Sequence, residues 1–394
     1  MTLSVVVVGG AGVMGSRAVQ ALVAEGHTVT VADLQDSKVS GARNLRVDVT
    51  DESSLAAALT GHDVVVNFAG PYYLFGARVA RAAFAASLPY IDVCDDAEAA
   101  EAMIALDYQA KANGVTAITG AGCSPGVANG FATLLAQRFS VIEGIDICWV
   151  QGDRRPGGRA PLEHFFYGID RDIPVWTDGQ RETIRPFQSS SQRIFPFQEP
   201  LGPYPVLDVG HPETVTLPRV LNVGTVRNKG SLVPAGSTAI FQMLRGVGLL
   251  SDTEVTVHGQ KIDARTFVAQ FLTDRHNAAV ARNPQPSQLG IGVEVRGRIG
   301  ATEASALISM ANQDPMNDTT AIPLVAALGQ LASGDLPHGV HGPEVLDTAR
   351  WFSEIARLDP TSYGGIEVEL PSLSRQSSTL AGLADLIGAD QGEA

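Results

Sequence analysis

A chain of 394 residues is longer than one hydrophobic core usually spans, so two domains are expected. The content, 45% hydrophobic and 18% charged, is that of an ordinary globular protein, and a net charge of −14 argues against nucleic acid and anionic membranes, which select basic surfaces. No apolar run nears the roughly 20 residues that cross a bilayer, the apolar start lacks a basic leader, and Cys94, Cys123 and Cys148 give neither a disulfide framework nor a C-x-x-C pair, so a reduced, cytoplasmic enzyme is expected.

Residues 5–8 are four consecutive valines, a β-branched run suited to a strand buried on both faces of a parallel sheet. Gly10, Gly12 and Gly15 follow in G-x-G-x-x-G spacing. A helix pattern covers residues 13–24 up to a stop at Gly26, and a strand over residues 28–32 ends on Asp33. This order is the dinucleotide-binding fingerprint. Gly10 makes the tight turn, Gly12 admits the pyrophosphate to backbone amides, Gly15 lets helix and strand pack closely, and the helix N-terminus faces the phosphate charge. Ala11, Val13 and Met14 complete the loop. Asp33 stands where a carboxylate bonds ribose hydroxyls, so NAD is expected, while Lys38 and Arg43 keep NADP open.

Strand and helix continue to alternate. A third strand is predicted over residues 44–49, with Asp48 and Val49 beside the cofactor, then a helix over 52–59 capped by Thr50 or Asp51. Further strands fall at 63–68, 90–93 and 115–119, with helices at 75–86 and 97–112 between them. Six strands with helices between predict a Rossmann doubly wound parallel sheet over residues 1–125. Ligands of such sheets sit beyond the carboxyl ends of the strands, so residues 69–73, 92–96 and 120–129 should line one crevice. Phe68, Ala69, Gly70, Pro71, Tyr72 and Cys94 are expected there at the cofactor.

From residue 144 to residue 300 short β-rich runs (IDICWV, RETIRPF, SQRIFPF, ETVTLPRV, EVTVHG, GVEVRGRI) alternate with Gly, Pro and Arg. They predict a second α+β domain with a mixed sheet over residues 126–335, holding the substrate and a homodimer contact. Helices are expected at 238–246, 264–273, 320–331 and 343–358. The last should pack back on the first domain, and residues 371–394 are expected to be a loosely ordered tail.

A short-chain dehydrogenase needs a tyrosine four residues before a lysine, and none of the seven tyrosines has one. With the second domain in view, the chain resembles the saccharopine dehydrogenase-like family, including lysine 6-dehydrogenase-type enzymes. The resemblance rests on the glycine loop, on Asn67-Phe68-Ala69-Gly70-Pro71-Tyr72, on Tyr90-Ile91-Asp92-Val93 and on Gly122-Cys123-Ser124-Pro125-Gly126-Val127-Ala128-Asn129. His211-Pro212-Glu213, Thr216-Leu217-Pro218-Arg219, Gly339-Val340 and Pro343-Glu344 are similar to family segments further on. Ser124 departs from the family, which often has Asp before that proline, and the segment 154–159 is unlike its members.

The resemblance implies NAD(P)-dependent hydride transfer at an amine or imine carbon of an amino-acid-like substrate. Asp92 at a strand end, Tyr73 at the reacting end and His211 as proton carrier are the catalytic candidates. Tyr72 is an alternative contact to Tyr73, and Asn129 reads as a helix cap. An amino-acid carboxylate calls for an arginine fork, with Arg154, Arg155, Arg159 and Arg219 as candidates, and Cys123 lies at the same strand end. His164 reads as a packed histidine. His338 and His341 sit in a Gly/Pro loop without acidic partners, so no metal is expected. Two rivals remain: a same-fold reductase of C=C bonds, and a non-catalytic dinucleotide-binding regulator.

Overall fold

The computed structural model describes residues 2–152, 154–313, 316–371 and 373–389. The first part alternates β1 (Ser4–Val8), α1 (Val13–Ala24), β2 (Thr28–Asp33), β3 (Arg43–Arg46), α2 (Glu52–Leu59), β4 (Val64–Asn67), α3 (Tyr72–Ala85), β5 (Tyr90–Asp92), α4 (Ala97–Ile104), α5 (Asp107–Ala112), β6 (Thr116–Ile118) and α6 (Val127–Ala136). The second part runs β7 (Val141–Gly152), α7 (Ala160–Asp170), β8 (Ile173–Thr177), β9 (Gln180–Ile184), β10 (Arg193–Pro196), β11 (Pro203–Asp208), α8 (Glu213–Thr216), β12 (Val223–Leu232) and α9 (Ser237–Gly246). It goes on through β13 (Glu254–Val257), β14 (Gln260–Asp263), α10 (Ala264–Arg282), β15 (Gln288–Ile299) and β16 (Thr302–Asn312). The chain closes with α11 (Met316–Leu331), β17 (Gly339–His341), α12 (Thr348–Leu358), β18 (Ile366–Leu370), β19 (Leu373–Ser378) and α13 (Leu383–Ala389).

Two main sheets result. One is a seven-stranded parallel sheet in the order β17-β6-β5-β4-β1-β2-β3, a Rossmann arrangement with one late strand added at its edge. The other is a mixed ten-stranded sheet through β10-β11-β12-β7-β15-β16-β18-β19, with β8 and β9 alongside. The four valines of β1 are fully buried, and their alternation divides them between two cores. Val5 and Val7 join the core facing α1, while Val6 and Val8 join the core facing α2 and α3.

The core on the α1 side continues without a break into the second sheet. Phe131 and Leu135 of α6 pack with Ile145, Ile147, Val293 and Val295, so α6 is the shared apolar layer between the domains. The late chain then comes back: α11 packs on α1, β17 pairs with β6, and Arg357 of α12 pairs with Glu25 at the end of α1.

Several elements differ from the sequence reading. The run ETVTLPRV forms α8 and a 3-10 turn instead of a strand, because Pro212 starts a helical turn and Pro218 withholds an amide from any ladder. β3 stops at Arg46, since Asp48 turns the chain by accepting from the Thr50 amide. Helix α3 begins at Tyr72, three residues early, which puts Tyr72 and Tyr73 in its first turn. The helix expected over 97–112 is broken into α4 and α5. The segment expected as a loose tail carries β19 and α13, with Leu380, Leu383 and Ile387 buried; residues 390–394 lie outside the described ones.

Candidate active site

The glycine loop is shaped by contact. A Cβ on Gly15 would lie 2.3 Å from the Gly9 carbonyl oxygen, so only glycine lets α1 sit this close to β1. At Gly12 a Cβ would meet only the Gly9 oxygen, at 3.4 Å, which leaves the approach open. Gly12 is the N-cap of α1, no side chain caps that end, and its first turn holds no acidic residue. The first-turn amides are thus left to an anion, which fits a dinucleotide pyrophosphate.

Asp33 ties this loop down. Its carboxylate accepts from the Ala11 amide and the Gln35 amide, each at 3.0 Å. Directly across β2–β3 stands Arg46, in register with Asp33, exposed, its guanidinium donating to the Leu34 carbonyl at 2.9 Å. Arg46 is the cation nearest in register to the ribose end, whereas Arg43 pairs with Thr30, three residues further back. The sequence reading missed Arg46, although the parallel register of two adjacent strands could have indicated it. Val13 is exposed at the loop, and Asp48 is exposed beyond the end of β3.

The ends of β4, β5 and β6 are knotted around Asp92. Asp92 is fully buried and accepts from Tyr90 Oη at 2.8 Å, Cys94 N at 3.0 Å, Thr119 Oγ1 at 3.0 Å and Gly120 N at 2.9 Å. Burial outweighs those four donors and leaves its carboxyl raised above the usual carboxylate range. With four donors on its carboxylate and no exposed surface, Asp92 braces the strand ends. Tyr72 is likewise buried, its hydroxyl donating to the Asn67 carbonyl at 2.9 Å, while Asn67 itself donates to Tyr90 Oη. Cys94 is a buried thiol raised by desolvation, with Sγ toward the Asp96 carbonyl. Phe68, Ala69 and Pro71 remain half-buried and Gly70 exposed at this rim.

Opposite the rim, α7 carries His164 and Tyr167 on one face, at i and i+3, and Arg171 follows directly on its C-terminus. Tyr167 stacks on Tyr73 with ring centroids 3.8 Å apart and planes 4° from parallel, and its hydroxyl donates to Glu98 at 3.2 Å. Arg171 and Arg265 lie over the Tyr167 ring at 4.3 and 5.5 Å. His164 reaches Asp95 at 3.3 Å and Asp96 at 3.6 Å. It belongs to the crevice, not to a packed core. Its helical spacing from Tyr167 was the signal available in the sequence.

His211 follows β11 and is buried against Trp149, with ring centroids 5.6 Å apart. Its Nδ1 lies 3.1 Å from Glu213 Oε2, and Glu213 Oε1 accepts from Ser124 Oγ at 2.6 Å. Burial lowers the imidazole's pKa, but Glu213, with Asp95 and Asp96 further off, outweighs it and leaves the group raised above 6.5. Ser124, where the resembled family often has Asp, therefore holds the carboxylate that orients His211. Asn129 accepts from the Gly126 amide at 2.8 Å and donates to Thr216 and Glu344, a cap and a tie between domains.

The remaining candidates disperse. Cys123 is buried near Tyr363 and Thr319, and desolvation pushes its thiol up to about 12. Arg219 is exposed on the 3-10 turn and acts on Asp107, outside the crevice. Arg159 pairs with Glu163 at 3.3 Å within its own helix end. The Arg154 amide donates to Ser287 Oγ, and Arg155 lies 3.6 Å from Asp318, which binds Arg17 of α1 at 2.6 Å, so this segment reaches toward the phosphate side.

Fold and loop together define a two-domain nicotinamide dinucleotide-binding protein of the oxidoreductase type, and the cofactor is NAD(P). Residues 5–118 match the model of the saccharopine dehydrogenase NADP binding domain. It is 26% identical over 359 residues to carboxynorspermidine synthase of Vibrio alginolyticus, covering 80% of each chain. Among solved structures it resembles a meso-DAP dehydrogenase mutant with DAP from Clostridium tetani E88 (13% identity, 88% and 95% covered, TM-score 0.45). The DAP dehydrogenase of C. glutamicum in complex with DAP is similar to the same degree (13% identity, 88% and 94% covered, TM-score 0.47).

Proposed function

We propose that the protein is an NAD(P)-dependent oxidoreductase moving a hydride at the C–N bond of an amino-acid-like substrate. The observation that carries this reading is the Ser124–Glu213–His211 chain, which delivers an oriented imidazole from the second domain to the acidic strand ends of the first. Bound NAD(P) supplies the hydride chemistry. The chain's own residues position and exchange protons. The α1 N-terminus and Gly12 hold the pyrophosphate, and the stacked Tyr73–Tyr167 pair forms a flat wall against the reacting end. His211 takes the proton of the substrate nitrogen, its Nδ1 fixed by Glu213, so that Nε2 is the exchanging atom. Arg171, over the Tyr167 ring and lining the same cavity as Asp96, replaces Arg154, Arg159 and Arg219 as seat for a carboxylate, which would compete with the exposed Asp252 3.4 Å away. A carboxylated amine is also what the relative named carboxynorspermidine synthase makes.

The test is a panel of amines and amino acids, and of carbonyl–amine pairs for the reverse direction, with NAD(H) and NADP(H), followed by absorbance of the reduced nicotinamide. Turnover with a nitrogen-bearing substrate is expected. Turnover with enoyl substrates alone, or cofactor binding with no turnover, would select one of the rival readings.

A further inference from the structure

Asp96 opens α4, where an aspartate ordinarily caps the helix by accepting from an amide in its first turn. It does not do so. Its side chain makes no cap hydrogen bond, and Oδ2 is buried with no hydrogen-bond partner at all, although the residue is only 5% exposed. A buried carboxylate left in this state is strongly disfavoured unless something completes it. His164 Nδ1 lies at 3.6 Å, beyond hydrogen-bond range. Asp96 lines a small cavity under α7 together with Glu98, His164, Tyr167 and Arg171.

We propose that Asp96 is the seat of the substrate's ammonium group, with Asp95 and Glu98 adding negative potential around it. This deepens the reading given above and rests on it for the reaction, though not for the binding. An ammonium donates three hydrogen bonds in a compact charge, which is what an unpartnered carboxylate at the edge of a cavity lacks. Arg171, which lies over the Tyr167 ring and 3.4 Å from Asp252, lines the same cavity and keeps a cation beside the site. Burial pushes the Asp96 carboxyl up to about 6, with His164 and His211 holding it down and Asp95 and Glu98 holding it up. Amine binding therefore requires a pH above that value.

The probe is 1,4-diaminobutane, with 1,4-butanediol as the uncharged match, titrated into cofactor-loaded protein and followed by saturation-transfer NMR. Wild-type protein should bind the diamine and not the diol, and Asp96→Asn should weaken the diamine at least tenfold while cofactor affinity stays as it was. Equal binding of diamine and diol, or undiminished binding by D96N, overturns the proposal. Should D96N fail to fold, wild-type protein answers alone: its diamine Kd should climb on acidification through about pH 6, and a flat profile overturns the proposal. Turnover in the amine panel with an amine KM unchanged by D96N would sink this assignment and spare the reaction. Loss of diamine binding in D96N without turnover on any amine would do the reverse.

Discussion

Glu213 acts through His211, and its effect is separable from catalysis itself. His211→Gln should lower kcat by about 10²-fold or more with cofactor affinity intact. In wild-type protein the base form of His211 is lost as pH falls through a value above 6.5. The acid limb of the rate profile should therefore lie above the ordinary imidazole range. Glu213→Gln removes the charge that raises it and leaves burial, so that limb should move toward lower pH. An unmoved limb would detach Glu213 from the proton carrier. Asp92 calls for a different readout. Because it joins three strand ends, Asp92→Ala should cost about 2–4 kcal/mol of stability by leaving buried donors unpaired. Chemical denaturation measures this, and a variant of wild-type stability would contradict the knot. At the ribose end, Arg46→Ala should weaken NADP relative to NAD by about tenfold, roughly 1.4 kcal/mol. Titration of both cofactors checks it; an unchanged ratio returns the choice to Lys38 or Arg43.

The elements show where the sequence was legible and where it was not. The β1–α1–β2 unit could be read almost residue by residue, since buried valines, spaced glycines and a terminal acid are all local signals. The close approach of Gly9 and Gly15 is their consequence, and Gly15→Ala should part helix from loop and lose at least tenfold in cofactor affinity. The strand-end crevice was also legible, because topology alone puts residues 69–73 and 92–96 together. Roles within it were not. Asp92 and Asp96 stand four residues apart with the same side chain, and only the hydrogen bonds say that one is saturated and the other is not. Likewise the spacing of His164 on α7 marks its face, but its partners Asp95 and Asp96 across the domain junction are encoded by no local pattern. The strand expected over 213–220 failed for a simpler reason: two prolines outweigh β-branched residues.

At the scale of the whole molecule, the two sheets meet across α6, and the late chain returns to the first domain through α11 and β17, which leaves the crevice between α7 and the strand ends. Among the described residues no helix is long and apolar enough to cross a membrane. On the second domain Ile240, Met243 and Val247 of the α9 segment and Phe267 and Phe271 of α10 are exposed, an apolar face that suits the homodimer contact expected there. Light scattering should give twice the chain mass, and a monomer would remove that expectation. The central claim is hydride transfer to a nitrogen-bearing carbon, and isotope transfer tests it most directly. The protein is incubated with reduced nicotinamide carrying deuterium at the hydride position and with the amine and carbonyl partners that show turnover, and the product is read by mass spectrometry. Deuterium on the carbon bonded to nitrogen is the predicted result; deuterium on a carbon of a former C=C bond would contradict the account.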